Sequence, residues 1–237
     1  MKPLGIIGAM DVEIELLKKS LKEEIVRTAG ESIYYSGKIN GKPVVIAKCG
    51  IGKVRAALCV QAMIDFFDVC AIINTGIAGG VSNNLSIGDI VLCTDALQHD
   101  FDVTAFGYAP GYMCTGMNSD KPTLFHANDT LQKLFYKSAV SIVNASQVKN
   151  GIIASGDKFI SDAKTRKYLA TQFNATATEM EGAAIAQASS ANNVPFMIVR
   201  MISDLADGKP NEEYNSFEQN ASAVLANVVL KSIEMYE

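Results

Sequence analysis

The chain has 237 residues, 49% of them hydrophobic, and a formal net charge of −4. Lysines and arginines are scattered without a basic block, which speaks against nucleic acid as a partner. Five cysteines without a C-x-x-C pair and only two histidines, His99 and His126, speak against a disulfide framework and a zinc site, and for reduced thiols in a cytoplasmic protein.

The first apolar run, residues 3–9, has the pattern of a strand covered on both faces. It is too short to cross a membrane and has no signal-peptide pattern, so no membrane partner is expected. Asp11 is placed to cap a helix over residues 12–24, with Val12, Leu16, Leu17 and Leu21 on one side. Glu13 then falls in the first turn, and the plainer reading is a surface acid that favours the helix dipole. Residues 32–39 and 43–49, joined through Asn40-Gly41, predict an antiparallel hairpin. Gly50-Ile51-Gly52-Lys53 leads into a helix over 54–67. The glycines suit an anion or a close backbone approach, and a tight structural turn equally well.

A second apolar strand, 70–74, is expected to end in the glycine-rich 75–80, and a third covers 88–93. Residues 98–108 mix acids with aromatics. His99 beside Asp100 has two readings, an acid–base pair or, more simply, a structural histidine. The turn-rich stretch 109–122 is long for a compact domain. A helix over 129–143, a strand over 149–154 and a short helix over 165–173 follow. Glu179 and Glu181 stand before a helix of small residues. The apolar strand 195–202 ends abruptly in Ser203-Asp204, and a last amphipathic helix runs from about Tyr214 to Met235. A carboxylate at a buried strand end is costly to desolvate, and open α/β sheets place ligands at such ends. Asp204 is therefore the first candidate for chemistry and Glu181 the second. The alternation of strands and helices predicts an α/β fold, one domain over residues 1–237, with a central mixed twisted sheet flanked by helices. The tips at 10–13, 75–80, 155–160 and 203–207 are expected to meet in one cleft.

Seven segments in order, GIIGAMDVEIE, GIGKV, INTGIAGG, HDFDVTAFGY, SGDKFI, TEMEGAAIA and VRMISDLAD, resemble the bacterial 5′-methylthioadenosine/S-adenosylhomocysteine nucleosidases, of the nucleoside phosphorylase-like superfamily. The resemblance implies hydrolysis of the bond between adenine and a 5′-thio-substituted ribose, with no cofactor and no metal. It implies that Asp204 protonates the purine at N7, that Glu13 activates the water, and that Glu181 binds the ribose hydroxyls. Arg200 would lie near Glu13 and Glu181, and Ser203 would orient Asp204. Phe159 would stack on adenine, the backbone of Ile160 would read its edge, and Met180 would lie against the ribose. Met10, Ile51, Val103, Phe106 and Tyr214 would line the 5′-alkylthio site, with Val103 and Phe106 reaching it across a homodimer interface from the 101–114 loop. Glu179 receives no role. Ile77 stands where many relatives carry serine.

A phosphorylase would need a cationic cradle for phosphate. The first strand tip offers Met10, Asp11 and Glu13 instead, so hydrolysis is favoured. A hydrolase acting on aminodeoxyfutalosine would use the same site. A binding protein without catalysis could dispense with Glu13 or Asp204, and both are present.

Overall fold

In the computed structural model, residues 1–116, 118–205 and 214–236 are described, the side chains of 214–216 excepted. The first half contains β1 (Leu4–Gly8), α1 (Asp11–Lys19), β2 (Lys22–Ala29), β3 (Ser32–Ile39), β4 (Lys42–Lys48), α2 (Lys53–Phe67), β5 (Ala71–Gly80) and β6 (Ile90–Gln98). The second half contains β7 (Phe125–His126), α3 (Asp129–Val140), β8 (Val148–Ser155), α4 (Ala163–Phe173), β9 (Ala175–Glu179), α5 (Gly182–Ala191), β10 (Phe196–Asp204) and α6 (Tyr214–Met235).

The apolar run at the N-terminus becomes the middle of the sheet because both its faces can be buried. Ile6 joins one core with Val44, Ile46, Ile73 and side chains of α1, α3 and α6. Its neighbour Ile7 joins a second core on the opposite face, with Val45, Ile72 and side chains of α2 and α5. β1 pairs in parallel with β4 and β5, and β5 in parallel with β10. The expected mixed sheet is present, with β3 antiparallel to β4 as the Asn40-Gly41 signal predicted.

The sheet also closes on itself. β10 pairs with β6, β6 with β8, β8 with β9, β9 with β5, and β5 with β10, so five strands form a ring that shares β5 with the open sheet. β5 has two partners in succession along one edge. β1 covers Ala71–Asn74, and β9 arrives only at Gly79 and Gly80. The residues between them are left for other contacts.

Four expectations need correction. The first helix stops at Lys19, where the Ser20 hydroxyl bonds back to the Leu16 carbonyl; residues 22–29 form β2. Among the described residues this strand pairs only with β3 and is exposed almost throughout, so it carries no alternating apolar signal, and its Lys-Glu-Glu start favours helix. Asp11 is the first helical residue rather than the cap, and its carboxylate pairs with Lys48 at the surface. β9, short and with two threonines in five residues, was not foreseen. Finally, β5 does not end at Asn74 but runs on through Gly80.

That last difference has a steric cause. Gly76 has no positive φ, so no turn requires it. A Cβ there would lie 2.3 Å from Glu13 Oε1 and 2.9 Å from its Cδ. Glycine lets a carboxylate lie against the strand. Gly76→Ala is therefore expected to displace Glu13 and lower the unfolding free energy by about 1–3 kcal/mol. Urea unfolding measures this, and a midpoint equal to wild type would show that Glu13 does not depend on the missing Cβ.

Candidate active site

The gap on the β5 edge is filled by Glu13. Its Oε2 accepts from the N–H groups of Ala9 (2.7 Å) and Met10 (3.0 Å), and its Oε1 from the N–H of Ile77 (3.2 Å). It is 5% exposed, so the reading of a surface acid is overturned. Burial raises its pKa, against the lowering effect of Arg200 and of the three backbone donors. The N–H that serves Glu13 comes from the backbone of Ile77, so an isoleucine at this position still supplies the donor.

Glu181 enters from the other side, at the start of α5. Its Oε1 accepts from the N–H of Gly52 at 2.9 Å. Gly52 has a φ of +103°, so the turn before α2 does require glycine, and the anion it holds is the protein's own. Burial, then the charge of Glu179, push the Glu181 pKa up to about 7.

Glu179 behaves differently. Its carboxylate is ion-paired with Arg200, accepts from the Ser155 hydroxyl, and accepts from the N–H groups of Gly182 (2.8 Å) and Glu181 (3.2 Å). Burial opposes its charge, but Arg200 and these donors outweigh burial and hold its pKa below the usual value. Arg200 lies at 2% exposure in β10 and also donates to Asn74 Oδ1 at 2.5 Å. In the sequence alone Glu179 has no assigned role. The rule that a buried charge needs a partner would have found it, since Arg200 stands in an otherwise apolar strand.

Asp204 ends β10. The pairing with β5 shifts register between Ile202 and Asp204, an irregularity that re-aims side chains at a strand end. The Ser203 hydroxyl donates to Asp204 Oδ2 at 2.8 Å and also lies 3.3 Å from the Ala78 carbonyl.

These groups surround one cleft of about 670 Å³, its open mouth included. Met10, Glu13, Ile51, Phe159, Ile160, Met180, Glu181, Ser203 and Asp204, all candidates from the sequence, line it. Ile77, Lys158 and Glu179 line it as well. Phe159 is 63% exposed at the mouth, while Ile160 is buried. Arg200 sits behind the lining, held by Glu179. Val103 and Phe106 are not brought to the cleft of their own chain: they belong to a short helical turn at the surface, where Phe106 is 78% exposed. The side chain of Tyr214 lies outside the described residues, as do Ala206 and Asp207 at the expected fourth tip.

A ring-closed mixed sheet with acids gathered at or just beyond the ends of β1, β9 and β10 defines a class of protein. The profile of the phosphorylase superfamily matches residues 3–234. Among curated proteins, the 5′-methylthioadenosine/S-adenosylhomocysteine nucleosidase of Halalkalibacterium halodurans is 41% identical over 231 residues, 97% of each chain. That of Haemophilus influenzae is 40% identical over 232 residues, 98% of each. The crystal structure of the Neisseria meningitidis nucleosidase in complex with methylthio-immucillin-A superposes with a TM-score of 0.90 at 36% identity, covering 99% of this chain and 100% of that one. A futalosine hydrolase mutant of Helicobacter pylori superposes equally well, with a TM-score of 0.90, at 28% identity and coverage of 99% and 100%. The chain belongs to the 5′-methylthioadenosine/S-adenosylhomocysteine nucleosidase family within the phosphorylase superfamily.

The raised Glu181 pKa has a consequence for stability. Its ordinary value is 4.5 and its folded value about 7, so the folded state holds this proton more tightly than the unfolded chain. The stabilisation is complete below pH 4.5 and is lost as pH rises through about 7. Glu181→Gln, which stays neutral, is expected to flatten this fall. Unfolding free energies at pH 5, 6, 7 and 8 check it, and parallel profiles for the two proteins would refute it.

Proposed function

We propose that the chain hydrolyses the N-glycosidic bond of 5′-methylthioadenosine and S-adenosylhomocysteine, releasing adenine and the 5′-thio-substituted ribose. The observation that carries this is the convergence of Glu13, Glu181 and Asp204 in one cleft with Phe159 at its mouth. The named activity of the relatives supports it.

Asp204 donates a proton to N7 of the purine, because adenine leaves poorly as an anion. Ser203 fixes the carboxyl in place through its hydroxyl. Phe159 stacks on the base and the backbone of Ile160 reads its edge. Glu181 accepts from the ribose hydroxyls, and Met180 lies under the sugar. As the C–N bond lengthens, the ribose gains oxocarbenium character that nearby carboxylates stabilise. Glu13 holds the attacking water on the opposite face and takes its proton. Its raised pKa makes it a better base than an exposed glutamate, and Arg200 behind it tempers the shift.

Phosphate fits this cleft poorly. Lys158 is the one cationic residue among the described lining residues, and Arg200 is engaged by Glu179 and Asn74. Met10 and Ile51 offer an apolar end for the 5′-alkylthio group, completed by Tyr214 and by Val103 and Phe106 of a second copy. The surface position of Phe106 supports that homodimeric arrangement. We place the whole chain, as one nucleosidase domain, in cytoplasmic nucleoside catabolism and methionine salvage. No described helix is long and apolar enough to cross a membrane. The likeness to the Helicobacter futalosine hydrolase makes aminodeoxyfutalosine a second candidate substrate.

Purified protein is expected to release adenine from methylthioadenosine and S-adenosylhomocysteine without phosphate, as chromatography of the products would show. Strict dependence on phosphate would overturn hydrolysis. Asp204→Asn and Glu13→Gln should each lower turnover by about 10²–10⁴-fold while still binding a substrate analogue. Wild-type turnover by either variant would remove that residue from the mechanism.

A further inference from the structure

One polar cluster lies behind the cleft, next in the chain to Lys158, which lines it, and to Gly52, whose N–H holds Glu181. It is built on the first residue of α2. The N–H of Lys53 donates to Asp157 Oδ1 at 2.8 Å. The N–H of Asp157 donates to Asp100 Oδ2 at 2.8 Å. Lys53 Nζ returns to Asp100 Oδ1 at 2.5 Å, closing a ring of three bonds among three residues. The ammonium also donates to Gln98 Oε1 at 2.9 Å, and Gln98 in turn donates to Gln187 on α5 at 2.7 Å. The Lys53 side chain is only 16% exposed, so this is an enclosed charge held by two acids, unlike the open ion pair of Lys2 with Asp68.

The position of the ring gives it consequences. Asp157 begins the short segment that carries Lys158, Phe159 and Ile160 along the cleft. One residue before Lys53, the N–H of Gly52 holds Glu181 Oε1. A Cβ on Gly52 would lie 3.2 Å from Asp157 Oδ1, so the two attachments are packed together. The segment that faces the base and the carboxylate that faces the sugar are thus fastened to the same turn of backbone.

We propose that Lys53 is a positioning residue, which through its ring with Asp100 and Asp157 sets the Phe159 segment and Glu181 at a fixed separation, so that base and ribose are gripped together. It touches no reacting atom. The proposal rests on the adenine-releasing reading above. A nucleoside engages the clamp at both ends, whereas free adenine engages only the Phe159 end.

The test compares Lys53→Met, which keeps the length of the side chain without its charge, with wild type. KM for methylthioadenosine is expected to rise about tenfold, the scale of losing a charge-assisted hydrogen bond, while the inhibition constant of free adenine, held at one end only, rises by less than about threefold. kcat should fall less, and Lys53→Arg should recover most of the loss, a rescue that depends on the charge. A KM within twofold of wild type, an equal rise in both constants, or a loss confined to kcat, would overturn the clamp. Should Lys53→Met not fold, Asp157→Ala, at a half-exposed side chain, cuts the same ring; wild-type constants for that variant would overturn the clamp as well. A wild-type protein that neither releases nor binds adenine overturns the functional reading itself. Wild-type turnover with an unaffected Lys53→Met overturns the clamp alone.

Discussion

One arginine is buried among three glutamates, and the site depends on how its charge is shared. Among the described residues Arg200 forms a direct ion pair with Glu179 alone, and Ser155 and two N–H groups add to that carboxylate's bonding. Glu13 and Glu181 feel the guanidinium only at longer range, while burial acts on them in full. The three acids therefore divide. Glu179 is held ionised below its usual range, and the other two are pushed up. Environments that drive neighbouring carboxyls apart in pKa are how one cleft obtains groups for different tasks. A buried ion pair of this kind is weak evidence for stability in itself. Its use here is to place and to compensate.

The sheet supplies the place. Because β1 leaves β5 at Asn74 and β9 joins it only at Gly79, a few backbone groups of β5 have no strand beside them. Ile77 turns its N–H to Glu13, and Gly76 makes room for the carboxylate. β9 runs antiparallel to β5 and delivers Glu179 and Glu181 toward the same gap. β10, on the opposite edge of β5, brings Arg200 behind it and Asp204 beyond it. Ring closure thus does what a topological switch point does in an open sheet: it leaves a crevice at strand ends for a ligand.

The same geometry bears on the choice of nucleophile. A carboxylate seated on β5, with the nearest guanidinium already paired, suits a neutral water that must lose a proton and repels a phosphate dianion. At position 77 the isoleucine side chain lines the cleft, while its backbone N–H seats Glu13.

Most of the elements were legible in the chain because their causes are local. The two-sided apolar strands, the Asn40-Gly41 hairpin, the small-residue α5 and the long α6 declare themselves by run length, turn chemistry and period. So did Asp204, a charge at the end of an apolar run, while the roles offered for Glu13, Glu181 and Phe159 came from motif resemblance. What the chain concealed is what depends on distant partners. β2 is a strand only because β3 pairs with it, and its exposed residues carry no pattern of their own. The glycines of 75–80 resemble a turn until Glu13 is seen against Gly76. Glu179 is indistinguishable from Glu181 in sequence; Arg200, 21 residues away, separates them. Local pattern determined most of the elements and singled out Asp204 and Glu181. Only the tertiary structure decided which acid is paired, which is buried without full compensation, and which residues of the chain's own surface stay out of its cleft, because desolvation and ion pairing depend on neighbours that the fold alone brings together.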